Sequence, residues 1–356
     1  MASTDTTGWP GWEALERSAL ESLVRTEATR HLPDSAGLLE ARAALARFQE
    51  PHDPTRWILT ASSSESYSLL FQLLCDPGDR VGSIRPGYPL VEELGRFQMV
   101  TSAPIPLRWH DRSWKLDLGW AEKRLKEGVR ALVIVQPSNP TGWILSPRER
   151  DEILRLCSRY RVPLISDEVF EAWAPGSFES LATQDQVLCF TLGGLSKLLG
   201  LPHLKLGWIR ISGPADEVLE ARRRLEVLND ALLSASTPVQ CALPHLLDRR
   251  EEFQKRIHER LSTNRAAWES LNSKLPARFE ALEPGSGWFA ILLCDPTVDE
   301  SKLCRTMESH GVRVLPGYLF DLPRSGFVVS LVADPIQFAH GLSVLLNLLI
   351  SLELEQ

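Results

Sequence analysis

The sequence predicts an α/β protein: a mostly parallel sheet covered by helices on both faces, followed by a smaller α/β unit. Three observations predict it. Short apolar runs read continuously rather than alternating, as strands buried on both faces do. Helix-like stretches separate them through the first two thirds of the chain. From Ala215 the texture changes to long charged helices before strand-like runs return. At 356 residues the chain also exceeds what one simple core holds, which suggests two domains.

In chain order, "RWILT" (56–60) is a strand that runs into the Ser-rich "ASSSE" and the helical "SYSLLFQLL". A Pro-Gly-Asp turn precedes the strand "RVGSI" (80–84). "ALVIV" (131–135) leads into the turn "QPSNPTG" and the helix "SPRERDEILRLCSRY". "VPLIS" (162–166) leads into "DEVF", "VLCFT" (187–191) into "LGGLSK", and "LGWIRIS" (206–212) ends at Gly213-Pro214. Two charged helices follow, then candidate strands "GWFAILLC", "GVRVL" and "FVVSLV", and a terminal helix around "LSVLLNLLISLELE".

Hydrophobic content of 44% and charged content of 24% are ordinary for a folded protein. A net charge of −7, from 39 basic and 46 acidic residues, argues against a nucleic-acid surface. No run is apolar and long enough to span a bilayer, and the N-terminus lacks a charged-then-apolar signal pattern. Cys75, Cys157, Cys189, Cys241, Cys294 and Cys304 form no CxxC pair and no His-flanked cluster. They read as reduced core thiols in a cytoplasmic protein, with no metal site.

In parallel sheets, ligands bind beyond the carboxyl ends of the strands, and "SSSE", "SNPTG", "DEVF" and "GLSK" all fall there. Each has a plain alternative. Ser62-x-x-Glu65 is also a capping box. "SNPTG" is also a turn, Asp167 a helix cap, and Lys197 a solvated amine.

Together these blocks are more specific. "LTASSSESYSLLFQLLCDPGDRVGSIRPGYP", "VQPSNPTG", "LISDEVF", "LGGLSKLLGLPHLKLGW" and "PGSGWFAILL" resemble, in order, the class I/II aminotransferases. These are pyridoxal 5'-phosphate (PLP) enzymes of fold type I. The resemblance runs from Arg30 to Pro335. It implies a seven-stranded-type sheet in a large domain (31–245), a smaller C-terminal domain (246–356) and an N-terminal helical arm (1–30) joining the latter. It further implies a homodimer with shared active sites and a small-molecule amine or amino-acid substrate.

The resemblance also assigns roles. Lys197 forms the Schiff base with the cofactor aldehyde, a desolvated lysine losing its proton more readily. Asp167 keeps the ring nitrogen protonated, so that the ring withdraws electrons. Asn139 bonds the phenolic oxygen and Tyr88 stacks on the ring. Ser63 and Ser64 hold the phosphate, with Ser196 or Lys205 helping.

Four departures bear on the chemistry. Lys205 replaces the usual Arg, giving a point charge without a bidentate fork. Phe170 replaces a Tyr that bonds the phenolic oxygen. His31 stands where the family has a Tyr reaching the partner subunit's phosphate. In Val328-Val329-Ser330, Val328 takes the place of the arginine that clamps the substrate carboxylate. Arg324 in the preceding loop is a candidate replacement, and His203 puts an imidazole near the expected cofactor mouth.

Three functions follow from this pattern. The first is transamination of an unusual amine or amino acid, in specialised metabolism. The second is another reaction of the same cofactor, such as decarboxylation, elimination or replacement, or cyclisation. The third is a non-catalytic use of the fold.

Overall fold

The computed structural model describes residues 13–24, 30, 32–176 and 178–354. The larger of two sheets holds β1 (Trp57–Thr60), β2 (Arg80–Arg85), β3 (Thr101–His110), β4 (Ser113–Leu116), β5 (Leu132–Val135), β6 (Leu164–Asp167), β7 (Cys189–Gly194) and β8 (Gly207–Ser212). Their order is β1-β8-β7-β6-β5-β2-β3-β4. The central strands β7, β6, β5, β2 and β3 are parallel, whereas β8 runs antiparallel to both β7 and β1, and β4 turns back on β3. The sheet thus has eight strands rather than the seven expected. The smaller sheet is entirely antiparallel, in the order β11 (Leu315–Pro316), β12 (Gly326–Ser330), β10 (Phe289–Cys294), β9 (Phe279–Ala281).

The continuous apolar runs are explained by two cores on opposite faces of the large sheet. Val133, Ile165, Phe190 and Ile209 pack with Leu69, Leu70 and Phe71 of the helix Ser63–Leu74. Their strand neighbours Leu132, Ile134, Leu164 and Cys189 pack on the other face with Ile153 and Leu156 of the helix Pro147–Tyr160. Alternate residues of a strand face opposite sides, so both sets must be apolar. A third core joins Trp57, Trp208 and Leu246 to Trp288, Phe289 and Val328 of the smaller sheet. All six cysteines are free thiols.

Three strands escape the pattern of the sequence. Pro104 and Pro106 lie in β3, but residues 101–106 pair only with β2; β4 covers 107–110. A proline is tolerated there because its missing N–H faces no second strand. Both β4 and the three-residue β9 are short and mixed in polarity. In "GVRVL" only Leu315 enters a strand, so the expected strand 311–315 is corrected to the two-residue β11.

Behind the carboxyl end of β6 lies a buried ionic network. Glu168 Oε2 accepts from Arg210 Nη2 at 3.0 Å and from the Ser180 hydroxyl at 2.5 Å. Its Oε1 accepts from Gln136, Ser166 and the Leu181 N–H. Arg210 also reaches Glu171 at 2.9 Å, and Gln49 donates to the same carboxylate. Both side chains of the Glu168–Arg210 pair are wholly buried, so removing the cation strands a desolvated anion. Arg210→Leu is therefore expected to cost roughly 3–5 kcal/mol of folding stability, measured by urea unfolding. A loss below about 1 kcal/mol would contradict this account.

Candidate active site

The strand-end blocks converge on one cavity of about 380 Å³. Ser62, Ser63, Ser64 and Tyr67 reach it from the helix after β1, and Tyr88 from the loop after β2. Asn139 follows β5, Asp167 and Phe170 close β6, Ser196 and Lys197 follow β7, and Lys205 precedes β8. The opposite wall carries Phe289 of β10, Leu315 of β11 and Phe320.

Asp167 is 4% exposed. The Tyr67 hydroxyl donates to its Oδ2 at 3.0 Å, and the Val169 N–H to its Oδ1 at 3.2 Å. Burial pushes the carboxyl up to about 6, against the lowering effect of these two donors and of Lys197. A carboxyl raised on folding binds protons that the unfolded chain has released, so its contribution to stability falls as pH rises through about 6. A cation placed against Asp167 offsets that cost.

Lys197 stands on the four-residue helix Leu195–Leu198. Its Nζ lies 4.9 Å from the ring centre of Trp288 and 5.7 Å from that of Phe170, both buried. The Trp173 indole donates to the Lys197 carbonyl at 3.0 Å and fixes the backbone beneath the amine.

Ser62 caps the helix Ser63–Leu74 by accepting from the Glu65 N–H at 3.2 Å. Glu65 Oε2 accepts from the Ala61 N–H and the Ser234 hydroxyl, so the carboxylate is tied back into the turn. Capping and cavity lining therefore coexist: Ser62 organises the turn while Ser63 and Ser64 open the helix at the cavity. A Cβ on Gly207 would lie 2.7 Å from Ser62 C and 2.8 Å from Ser63 N, so glycine is what lets β8 approach this turn. Lys205 holds a left-handed backbone, φ 50°, at the rim.

Asn139 is buried, and its Oδ1 has no hydrogen-bond partner among the described residues. Which amide atom is oxygen is an assignment, so either way the side chain has unused bonding capacity at the cavity. Tyr88 is partly exposed at the mouth, and burial together with Asp167 pushes its phenol up.

Nine expected site residues meet here: Ser63, Ser64, Tyr88, Asn139, Asp167, Phe170, Ser196, Lys197 and Lys205. Two do not. His203 is exposed on the turn Pro202–Leu204 and does not line the cavity. Arg324 is also exposed, donates to Glu280 Oε2 at 2.6 Å and is not among the residues lining the cavity. His31 lies outside the described residues. Tyr67, Phe289, Leu315 and Phe320 were not anticipated. Tyr67 follows Ser63 by four positions and so shares its helical face, a signal the sequence did contain.

The family model "Aminotransferase class I and II" matches residues 12–332. The chain belongs to the class I and II aminotransferase family. Mouse tyrosine aminotransferase is 28% identical over 315 residues, covering 84% of this chain and 69% of that protein. Human tyrosine aminotransferase is 31% identical over 223 residues, covering 60% of this chain and 49% of that protein. Among solved structures, tyrosine aminotransferase from Leishmania infantum superposes with a TM-score of 0.87 at 20% identity, covering 98% of this chain and 91% of that one. Alanine aminotransferase from Pyrococcus furiosus gives 0.84 at 21% identity, covering 97% and 89%.

This aminotransferase-family chain is a PLP-dependent transferase, and its cavity fits that cofactor. It offers a buried carboxylate for a cationic ring nitrogen, an amide with unused bonding capacity, an amine among aromatic rings and a helix N-terminus suited to a phosphate. Lys197→Ala is expected to fold and bind PLP weakly while losing the borohydride-fixed mass increment seen by intact mass spectrometry. Gly207→Ala is expected to keep that link but to weaken cofactor affinity at least ~10-fold in equilibrium dialysis, since the added methyl displaces the Ser62–Ser63 turn. An unchanged affinity would show that this turn does not hold the phosphate.

Proposed function

We propose that the protein is an aminotransferase for an apolar amine, or an amino acid whose carboxylate is not held by an arginine clamp. The observation that carries this is the set of side chains lining the cavity that holds Lys197. Phe289, Leu315 and Phe320 line it, and among the described lining residues the cations are Lys197 and Lys205, with no arginine. Val328 lies on β12, between the strands that bear Leu315 and Phe289: it pairs with Ile291 and Leu315 and is fully buried. An alkyl side chain there supplies no charge-assisted bond to a carboxylate. An apolar wall favours substrates that bring matching surface, at about 25 cal/mol per Å² buried.

Bound here, PLP supplies an aldehyde for amine exchange and a protonated ring that accepts electron density. The chain's own residues then divide the work. Lys197 Nζ, over the faces of Phe170 and Trp288, is the amine that carries a proton to and from the substrate carbon. Asp167 holds the proton on the ring nitrogen, Asn139 orients the phenolic oxygen, and Tyr88 covers the ring. Ser63, Ser64, Ser196 and Lys205 surround the phosphate. Phe170 brings no hydroxyl to the phenolic oxygen, leaving Asn139 as the proposed donor there. The fold supports a homodimer, and specialised metabolism is the setting that the altered clamp favours.

The test compares donors of one side chain with and without a carboxylate, such as phenethylamine against phenylalanine. Formation of pyridoxamine phosphate is followed by mass spectrometry. The amine is expected to have a kcat/KM at least ~10-fold higher, or about 1.4 kcal/mol in the barrier. A strong preference for the amino acid would show a firmly held carboxylate and overturn the unclamped site on which the proposed substrate class rests. Release of CO2 or ammonia without pyridoxamine phosphate would replace transamination by another reaction of the cofactor.

A further inference from the structure

Tyr67 is not among the residues that the family resemblance assigns to the site, yet its hydroxyl makes a direct bond to Asp167. It is buried, 3% exposed, on the first turns of the helix Ser63–Leu74. Its ring packs 5.9 Å from that of Phe71, in the core beneath the sheet. The ring alone serves that packing; the hydroxyl does something separate, because it reaches out of the apolar core to Asp167 Oδ2. With the Val169 N–H on Oδ1, each carboxylate oxygen receives one donor, from two different elements.

Resting on the cofactor seat proposed above, we infer that Tyr67 is a positioning residue whose hydroxyl fixes the Asp167 carboxylate and keeps it ionised for a cationic ring nitrogen. A hydrogen bond to the charged form favours that form, and it matters most where water is excluded. Tyr67 itself remains a donor throughout the working range, because burial and the neighbouring Asp167 hold its phenol well above its ordinary value. The groups acting on Asp167 are Tyr67 from the helix, Tyr88 from the loop after β2, Lys197 from the segment after β7, and its neighbour Glu168. Lys197 favours the ionised form and Glu168 opposes it; both stay in place when the Tyr67 hydroxyl is removed.

The experiment is the pH dependence of pyridoxamine 5'-phosphate binding to the full chain freed of cofactor, followed by ligand fluorescence from pH 5 to 8. This probe cannot form the lysine link, so it reports the non-covalent seat. Its own phosphate ionisation contributes equally to every variant. Affinity of the unaltered protein is expected to fall as pH drops through about 6, where Asp167 takes up its proton. In Tyr67→Phe that midpoint is expected to move up by about one unit, with affinity at pH 8 changed less than about threefold. Site-specific 3-fluorotyrosine at position 67, a stronger donor of nearly the same shape, is expected to move it down; this holds the test even where Tyr67→Phe folds poorly.

Loss of affinity by one factor at every pH, with an unmoved midpoint, would overturn the inference and leave a packing role. Failure of the unaltered protein to bind the probe at any pH would overturn the cofactor seat, and the inference with it.

Discussion

Asp167 ends β6 nearly buried, with each oxygen already holding a hydrogen bond, and Tyr67, Val169, Lys197 and Glu168 all act on its charge. The residue that follows is a second buried carboxylate, Glu168, with the opposite solution. It has Arg210 and a set of hydroxyl, amide and backbone donors, a closed network inside the fold. Asp167 instead opens on the cavity with two neutral donors and a lysine across the space. Successive residues at a strand end project to opposite sides, so one dipeptide serves both a structural ion pair and a reactive seat.

The polar groups of the cavity come from the large-sheet side, together with apolar residues such as Val135, Phe170 and Leu206, whereas the small sheet adds apolar ones. Hydroxyls, the amide, both lysines and the carboxylate come from the ends of the large sheet, where helices begin and backbone N–H groups point outward. Phe289 and Leu315 come from the small antiparallel sheet. Substitutions at Phe289 or Leu315 can therefore alter what is recognised while leaving the polar groups in place, whereas Phe320 is tied to the loop that bears Tyr88.

Much of this was legible in the sequence, for definite reasons. Strands buried on both faces carry few polar residues, so β1, β2, β5, β6, β7 and β8 appear as largely apolar runs despite buried polar positions such as Ser83, Thr191 and Arg210. Blocks such as "SNPTG" and "DEVF" announce themselves because a strand end that carries chemistry uses polar and turn-forming residues against an apolar background. What stayed hidden depends on pairing rather than pattern. Prolines disguise β3, since nothing in a linear sequence says which of its edges is uncovered. Tyr67 lies unmarked in the helical run "SYSLLFQLL", because its bond crosses 100 positions of sequence to Asp167. Arg324 has the right chemistry for a carboxylate but is already paired with Glu280, a partner supplied by the neighbouring β9.

Arg85, at the end of β2, joins Glu92 at 3.0 Å and Asp321 at 2.9 Å, and the Gly87 N–H donates to the Phe320 carbonyl. These contacts clasp the loop bearing Tyr88 to the segment bearing Phe320, so the two sides of the mouth are mechanically one piece. A molecule entering between them cannot push back the far wall without dragging the near one. Selectivity at the doorway and the seating of whatever lies under Tyr88 are thereby yoked together.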